Sequence, residues 1–414
     1  MGRELFARLG EGPEPGEEVT EERGLVMNRR KVLGLLGATT ALAGYGRTLR
    51  AAAPNSVVII GAGILGASIG YHLAKRGARV TILEKARPSS GATGDSFAYL
   101  NASTKPSRPY YDLNLAGIAG WRRLQLELGG ALPLQWGGAV YWRDEATTAA
   151  QLLGSLRGYQ GWGYAGRQID EVELRRLLPN ATPGHVEAAA FYDQEGTVDP
   201  AGAVDILLGR AKAFGATVEY PVEVIGFDGT RDRVRGVNTS HGKIEADAVI
   251  LAAGLGSQPL ANLAGVKLPL TSSAGVLVHT APQPAFLGSV VFAPGNTIKQ
   301  NPNGRVVSGG GHEGSNVTAS PQEQGEQILK EASRYFPQLK HATIENVTVG
   351  QRVLPVDGFP ILGFLGSYRN LYVAATHSGV TLAPIIGQYA AQEVLDGVVL
   401  DPLTPYRPGR FAAA

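Results

Sequence analysis

The chain contains no cysteine. That absence removes disulfides, thiolate catalysis, Cys-ligated metal, the redox CxxC of disulfide reductases and any thioether link to a cofactor. It is compatible with an oxidising compartment. A basic block is missing too: the formal net charge is only +2, charged residues make up 18%, and no Lys/Arg run is interleaved with aromatics. Nucleic acid is therefore not an expected partner. The seven histidines (His72, His185, His241, His279, His312, His341, His377) show no ligand spacing to an acid or to one another, so no metal is expected. There is no Gly-x-Ser-x-Gly elbow, which argues against a serine hydrolase, and no internal repeat.

What remains is a chain of 414 residues, 44% hydrophobic, with 56 glycines. That is enough for a large core in two domains or one large α/β unit. The most informative stretch is Val57-Val58-Ile59-Ile60-Gly61-Ala62-Gly63-Ile64-Leu65-Gly66, followed by a helical pattern and then Arg79-Val80-Thr81-Ile82-Leu83-Glu84. It reads as strand, glycine turn, helix, strand, acid, which is a dinucleotide clamp. Gly61 makes the tight turn, Gly63 lets the backbone approach a pyrophosphate, and Gly66 allows helix to pack on strand. The pyrophosphate would sit on a helix N-terminus, where N–H groups and the dipole favour an anion. Glu84 can accept the hydrogen bonds of a ribose diol, which favours FAD or NAD over NADP. A second glycine run, Gly309-Gly310-Gly311-His312-Glu313-Gly314, follows the strand-like Arg305-Val306-Val307-Ser308 but opens no amphipathic helix. It is expected to be a turn.

The start of the chain stands apart. Residues 1–26 are polar and Glu-rich, either disordered or preceding the true initiator Met27. Then Asn28-Arg29-Arg30-Lys31 leads into the Gly/Ala-rich apolar run that ends near Ala43. An arginine pair before such a run resembles a twin-arginine export signal, which predicts a periplasmic protein; without it the location would be cytoplasmic. The run is too short and glycine-rich for a good transmembrane helix, though an uncleaved anchor would give membrane association. Farther on, Ala86-Arg87-Pro88-Ser89-Ser90-Gly91-Ala92-Thr93-Gly94-Asp95-Ser96 is a small-residue loop able to lie close over a ligand. Helical spacing spans 110–128, Asp199-Pro200 starts a helix through Ala213, and a further helix is expected from about Gln322 to Tyr335. The buried strand before Ala252-Ala253-Gly254 ends on small residues, which leaves room for a ligand at the carboxyl end of a sheet. Near the end, Leu371-Tyr372-Val373-Ala374-Ala375, a turn at Thr376-His377-Ser378-Gly379 and an apolar helix from Thr381 to about Leu395 follow in order.

Four separated motifs together resemble the FAD-dependent D-amino-acid oxidase superfamily, which includes glycine and sarcosine oxidases and D-amino-acid dehydrogenases. They are the clamp at 57–84, the loop Gly91 to Ser96, the strand end Ala252-Ala253-Gly254, and the C-terminal Gly350-Gln351-Arg352-Val353-Leu354-Pro355-Val356-Asp357-Gly358 with His377-Ser378-Gly379-Val380-Thr381. The resemblance implies an α/β fold: a Rossmann-like FAD-binding domain with an interleaved α+β substrate domain carrying a mixed β-sheet. The FAD domain would take 54–102, 186–275 and 346–400, the substrate domain 103–185 and 276–345, with 1–53 as extension plus signal and 401–414 as a C-terminal tail. It implies cofactor contacts from Gly61, Ala62, Gly63, Ile64, Gly66, Glu84, Lys85, Gly94, Ser96, Val224, Ala253, Gly254, Gly358, His377, Gly379, Val380 and Thr381. Arg352 matches the arginine that pairs with a substrate carboxylate, although the family's proline after it is Val353 here. His312 would line the substrate pocket. His377 would face the flavin, and Tyr99, Asn101, Tyr110 and Tyr111 are candidate pocket polar groups.

The expected reaction is oxidation of an amino acid (glycine or a D-amino acid) or a small secondary amine. Hydride would pass to flavin N5, leaving an imine that hydrolyses. Only one full clamp is present, so electrons would leave to oxygen or a membrane quinone rather than to NAD(P). Two alternatives stand beside it: a hydroxy-acid or polyol dehydrogenase on the same fold, and a non-catalytic flavin-bound assembly factor.

Overall fold

The computed structural model describes residues 55–230, 232–310, 320–366 and 368–411. The expected signal region and the candidate His312 lie outside them.

Apolar β-branched runs build the first sheet. Strands β1 (Ser56–Ile60), β2 (Arg79–Leu83), β3 (Thr217–Glu219), β4 (Ala248–Leu251), β5 (Ile361–Phe364) and β6 (Leu371–Ala375) pair in the order β5-β6-β4-β1-β2-β3. All pairings are parallel except β5 with β6. Central strands of such a sheet are covered on both faces, and so read as unbroken hydrophobic runs. Here Val57 and Ile59 face helices α1 (Ile64–Lys75) and, later in the chain, Pro200–Ala213. Val58 and Ile60 face a three-stranded antiparallel sheet formed by Val224–Gly229, Val234–Thr239 and Gly242–Glu245. Asp199 caps the helix Pro200–Ala213 by accepting from Gly202 N–H, as its position before a proline at the first helical site suggests.

The second sheet is mixed and eight-stranded. Its order is Ile344–Gln351, Ala274–Thr280, Val306–Gly310, Asn296–Gln300, Val290–Ala293, Ala139–Arg143, Ala188–Tyr192 and Gly166–Ile169. Only Val290–Ala293 with Ala139–Arg143 is parallel. Helix Pro321–Tyr335 covers one face, opened by a capping box between Ser320 and Glu323. Two strands cross the expected domain limits. Ala188–Tyr192 and most of Ile344–Gln351 fall within the segments expected for the FAD portion, yet both are paired in this sheet. Pairing partners far away in sequence set those limits, and short local patterns do not reveal them.

The two sheets meet along α2 (Arg108–Glu127) and α3 (Gly379–Asp396). The approach is backbone to backbone: a Cβ on Gly117 would lie 2.4 Å from Thr381 O. Trp121 Nε1 donates to Val380 O at 2.8 Å. Residues 401–411, expected as a tail, instead form two 3-10 turns, with Leu403 and Tyr406 buried. Arg407 reaches back to the buried carboxylate Glu393 on α3, which also accepts from Tyr372 Oη at 2.9 Å. The pair is held by charge-assisted bonds that satisfy the buried acid.

Candidate active site

A cavity of about 1180 Å³ opens at the carboxyl ends of β1, β2, β4 and β6. Single-ligand pockets run to roughly 1,000 Å³, so this space suits a dinucleotide with a small co-substrate. The end of an open parallel sheet is also where such ligands bind.

The glycine turn forms one wall. Gly61 has φ +106°, and a Cβ there would lie 2.5 Å from Ala252 O. A Cβ on Gly66 would sit 1.9 Å from Gly61 O, and one on Gly63 would be 3.0 Å from Thr93 Oγ1. Only hydrogen fits at the first two positions. The N-cap of α1 is Gly63, which has no side chain of its own to cap the helix. Glu84 Oε2 accepts Ala62 N–H and Oε1 accepts Ala86 N–H, each at 3.0 Å. A carboxylate offers about four acceptor sites, so both oxygens retain capacity for a diol. Ala62 thus acts through Glu84 and does not line the cavity. Gly66 and Gly94 also lie behind the wall, as packing positions; a Cβ on Gly94 would meet Ser89 O at 2.4 Å.

The loop after β2 closes over this turn. Thr93 Oγ1 accepts Ile64 N–H at 3.0 Å, and Ser89 N–H donates to Ala62 O. Ser89 lines the cavity, and its Oγ is buried with no protein partner. An orphaned hydroxyl beside a cradle that admits no Cβ fits a bound phosphate-bearing cofactor. Ile64, Lys85, Ser96, Val224, Ala253, Gly254 and Gly358 contribute to the lining.

The opposite wall comes from α3 and the chain before α2. His377 is exposed on the turn before α3 and lines the cavity with Gly379, Val380 and Thr381. Helix α3 begins two residues earlier than the apolar pattern suggests, because Gly379 and Val380 already lie in its first turn. Its N-cap Ser378 makes no capping bond. Ser378 Oγ instead receives Tyr110 Oη at 2.9 Å and Lys105 Nζ at 3.4 Å. Thr381 Oγ1 receives Asn101 N–H and donates to Tyr99 O. Tyr99, Asn101 and Tyr110 line the cavity, whereas Tyr111 does not. Tyr111 packs on Trp162 and Tyr164 on the other side of α2. Buried Glu195 braces this wall: it accepts from Tyr99 Oη, from Tyr164 Oη at 2.9 Å, and from the N–H groups of Ala102 and Ser103. Burial pushes its carboxyl well above the usual range against the pull of the two backbone donors.

Arg352 follows the strand Ile344–Gln351 and enters the cavity half-buried. Its Nη1 donates to Ser273 Oγ at 3.2 Å. Among the described residues no carboxylate pairs with it. Burial lowers its pKa from the ordinary value. Gly275 makes space for the guanidinium, since a Cβ there would lie 3.0 Å from Nη2. Val353, in place of the family's proline, is buried in the core.

Residues 56–393 match the family model described as DAO, FAD dependent oxidoreductase. The chain belongs to this family. Its fold is accordingly α/β, with a Rossmann-like FAD domain and a substrate domain, and its cofactor is FAD. The oxidoreductase YurR of Bacillus subtilis is 29% identical over 382 residues, covering 86% of this chain and 98% of its own. Monomeric sarcosine oxidase of Streptomyces avermitilis is 26% identical over 385 residues, covering 86% and 98%. The crystal structure of glycine oxidase from Geobacillus kaustophilus superimposes with TM-score 0.78 at 26% identity, covering 86% and 98%.

Lys105 is the cavity residue that sequence reasoning missed. It is 8% exposed, and lysines are rarely so buried. Nothing in Ser103-Thr104-Lys105-Pro106 has a periodicity that signals it.

Proposed function

We propose that this chain oxidises an amino acid or a small secondary amine, with FAD as the immediate electron acceptor. The observation that carries the reading is Arg352, a half-buried guanidinium on the cavity wall with no carboxylate partner among the described residues. A substrate carboxylate matches it bidentately. The relatives named glycine oxidase and sarcosine oxidase support this substrate class.

In this reading Gly63 brings the backbone to the pyrophosphate, beside Gly61 at the turn and Ile64 at the helix start, whose N–H groups are held by Leu83 O and Thr93 Oγ1, and Glu84 takes the ribose hydroxyls, with Ala62, Gly66 and Gly94 shaping the turn. Lys85, Ser96, Val224, Ala253, Gly254, Gly358, His377, Gly379, Val380 and Thr381 complete the enclosure. The bound FAD supplies a two-electron sink for the hydride on the carbon beside nitrogen. Arg352 fixes the carboxylate and so aims that carbon. Gly275 preserves the room this needs. The positive end of α3 favours negative charge arising across the cavity. The substrate leaves as an imine and hydrolyses in water.

The Arg29–Arg30 pair and the apolar run after it support export to the periplasm, with oxygen or a membrane quinone as final acceptor and the N-terminal segment as a route to membrane association. Fractionation of cells bearing an Arg30→Lys, Arg29→Lys double variant tests this: retention in the cytoplasm supports export, and an unchanged distribution rejects it.

The test of function is anaerobic titration of the FAD-loaded protein with glycine, sarcosine, proline and a D-amino-acid panel, following the flavin band near about 450 nm. Bleaching by any of them supports the reading, and readmitted oxygen separates oxidase from dehydrogenase. Bleaching by hydroxy acids alone would replace the substrate class. A yellow protein that nothing bleaches would favour an assembly factor.

A further inference from the structure

Lys105 lines the same cavity as Arg352 but is not explained by carboxylate binding. Its Nζ donates to Asn101 Oδ1 at 3.1 Å and to Ser378 Oγ at 3.4 Å. It lies 5.7 Å from the centroid of the Tyr110 ring. Among the described residues it forms no ion pair. Several charged and titratable groups around it are already committed, while Asp95 and Arg352 line the same cavity. On α2, Tyr110 Oη donates to Ser378, and exposed Arg108 pairs with Asp112. Glu195 is taken up by Tyr99, Tyr164 and the N–H groups of Ala102 and Ser103. His377 lies on the adjoining turn.

This is a poor place for a permanent ammonium. Ser378 is the N-cap of α3, and a helix N-terminus carries partial positive charge that repels a cation. Burial removes hydration without an anion in exchange. An ammonium has three donors and no acceptor. A neutral amine has two donors, which Asn101 and Ser378 accept, and one lone pair. Burial brings Lys105 down to about 7, so both forms are accessible near neutrality.

We propose that Lys105 is the proton acceptor of the cavity, taking the proton that an amine substrate sheds before it is oxidised. The proposal rests on the amine reading above. Such substrates arrive as ammonium ions, whose nitrogen has no lone pair to support loss of hydride from the neighbouring carbon. One N–H bond of the substrate breaks with its electron pair staying on nitrogen, and that proton forms an N–H bond at Nζ. Charge is conserved, and the two electrons that leave afterwards go with the hydride to FAD. Asn101 and Ser378 orient Nζ while its lone pair is used.

The experiment is anaerobic stopped-flow reduction of the FAD-loaded protein by the best amine substrate across pH 5.5 to 10, for wild type, Lys105→Met and Lys105→Arg. Wild type should show a rate that rises through an inflection near about 7 and then levels. In both variants that inflection should vanish, the rate at neutral pH should fall on the order of 100-fold, and the profile should follow the ammonium of the substrate itself. FAD affinity of the apoproteins, read by flavin fluorescence, should match wild type. Wild-type profiles in either variant would overturn the proposal. So would restoration by arginine, which shows a need for charge rather than proton transfer, or lost FAD affinity in both variants, which places the lysine in cofactor holding. If no amine reduces even the wild-type flavin, the functional reading falls and the proposal with it; if amines reduce all three alike, only the role of Lys105 falls.

Discussion

The two walls of the cavity are built from different materials. The wall at β1 and α1 is mostly backbone: a positive-φ glycine, a glycine as the helix N-cap, and glycines that leave no space for a Cβ. The wall at α3 and the second sheet is side chain: Arg352, Lys105, Tyr99, Tyr110 and Glu195, drawn from segments far apart in sequence. Backbone recognition suits a constant ligand, because its donors are fixed by the fold. Side-chain recognition suits the varying partner, because single replacements retune it without disturbing the cradle.

Changes confined to one wall therefore test the contrast. Gly66→Val has the largest expected effect. Its new Cβ would lie 1.9 Å from Gly61 O, so FAD should be lost entirely and the purified protein should be colourless; a yellow, FAD-saturated variant would break the comparison. Arg352→Met should retain full FAD content but lose on the order of 100-fold in kcat/KM, mainly through KM, about 3 kcal/mol for a charged pair. Steady-state kinetics with absorbance-based FAD content checks both halves of that statement. Glu84→Ala removes the acceptor of Ala62 and Ala86 N–H, and FAD affinity by fluorescence titration should weaken about tenfold, about 1.4 kcal/mol.

The smallest effect concerns Glu195. Its folded pKa is raised by burial, so the native state holds the proton more tightly than the unfolded chain. Stability should then fall as pH rises from the unfolded carboxyl value of about 4.3 toward the folded one. Glu195→Gln, which has no proton to lose, should flatten the dependence of Tm on pH over that window. An equally steep wild-type and variant curve would remove Glu195 as its source.

The same contrast governs what the sequence reveals. Gly61, Gly63, Gly66 and Glu84 are readable because strand, turn and helix periods lie in one short stretch, and each glycine answers a local steric demand. Arg352 is readable through the motif around it. Lys105 is not, because its burial depends on α2, α3 and the loop at Asn101 coming together. Tyr111 differs from its neighbour Tyr110 only by one step around α2, and that step turns it from the cavity to Trp162 and Tyr164. Residues 401–411 carry too little periodic apolar sequence to announce an ordered segment, yet Arg407 finds Glu393 and holds it. Ala188–Tyr192, three alanines before Phe191 and Tyr192, carries no local strand signal; its place is decided by pairing with Ala139–Arg143 and Gly166–Ile169.

The contact of Gly117 with Thr381 has a mechanical consequence. Long side chains between two bodies act as a compliant layer that allows one to roll on the other. Here main chain rests on main chain, and Trp121 pins the same turn through Val380. Such a joint transmits displacement instead of absorbing it. Opening of the cavity therefore falls to individual loops, while main-chain contact sets the spacing between α2 and the start of α3.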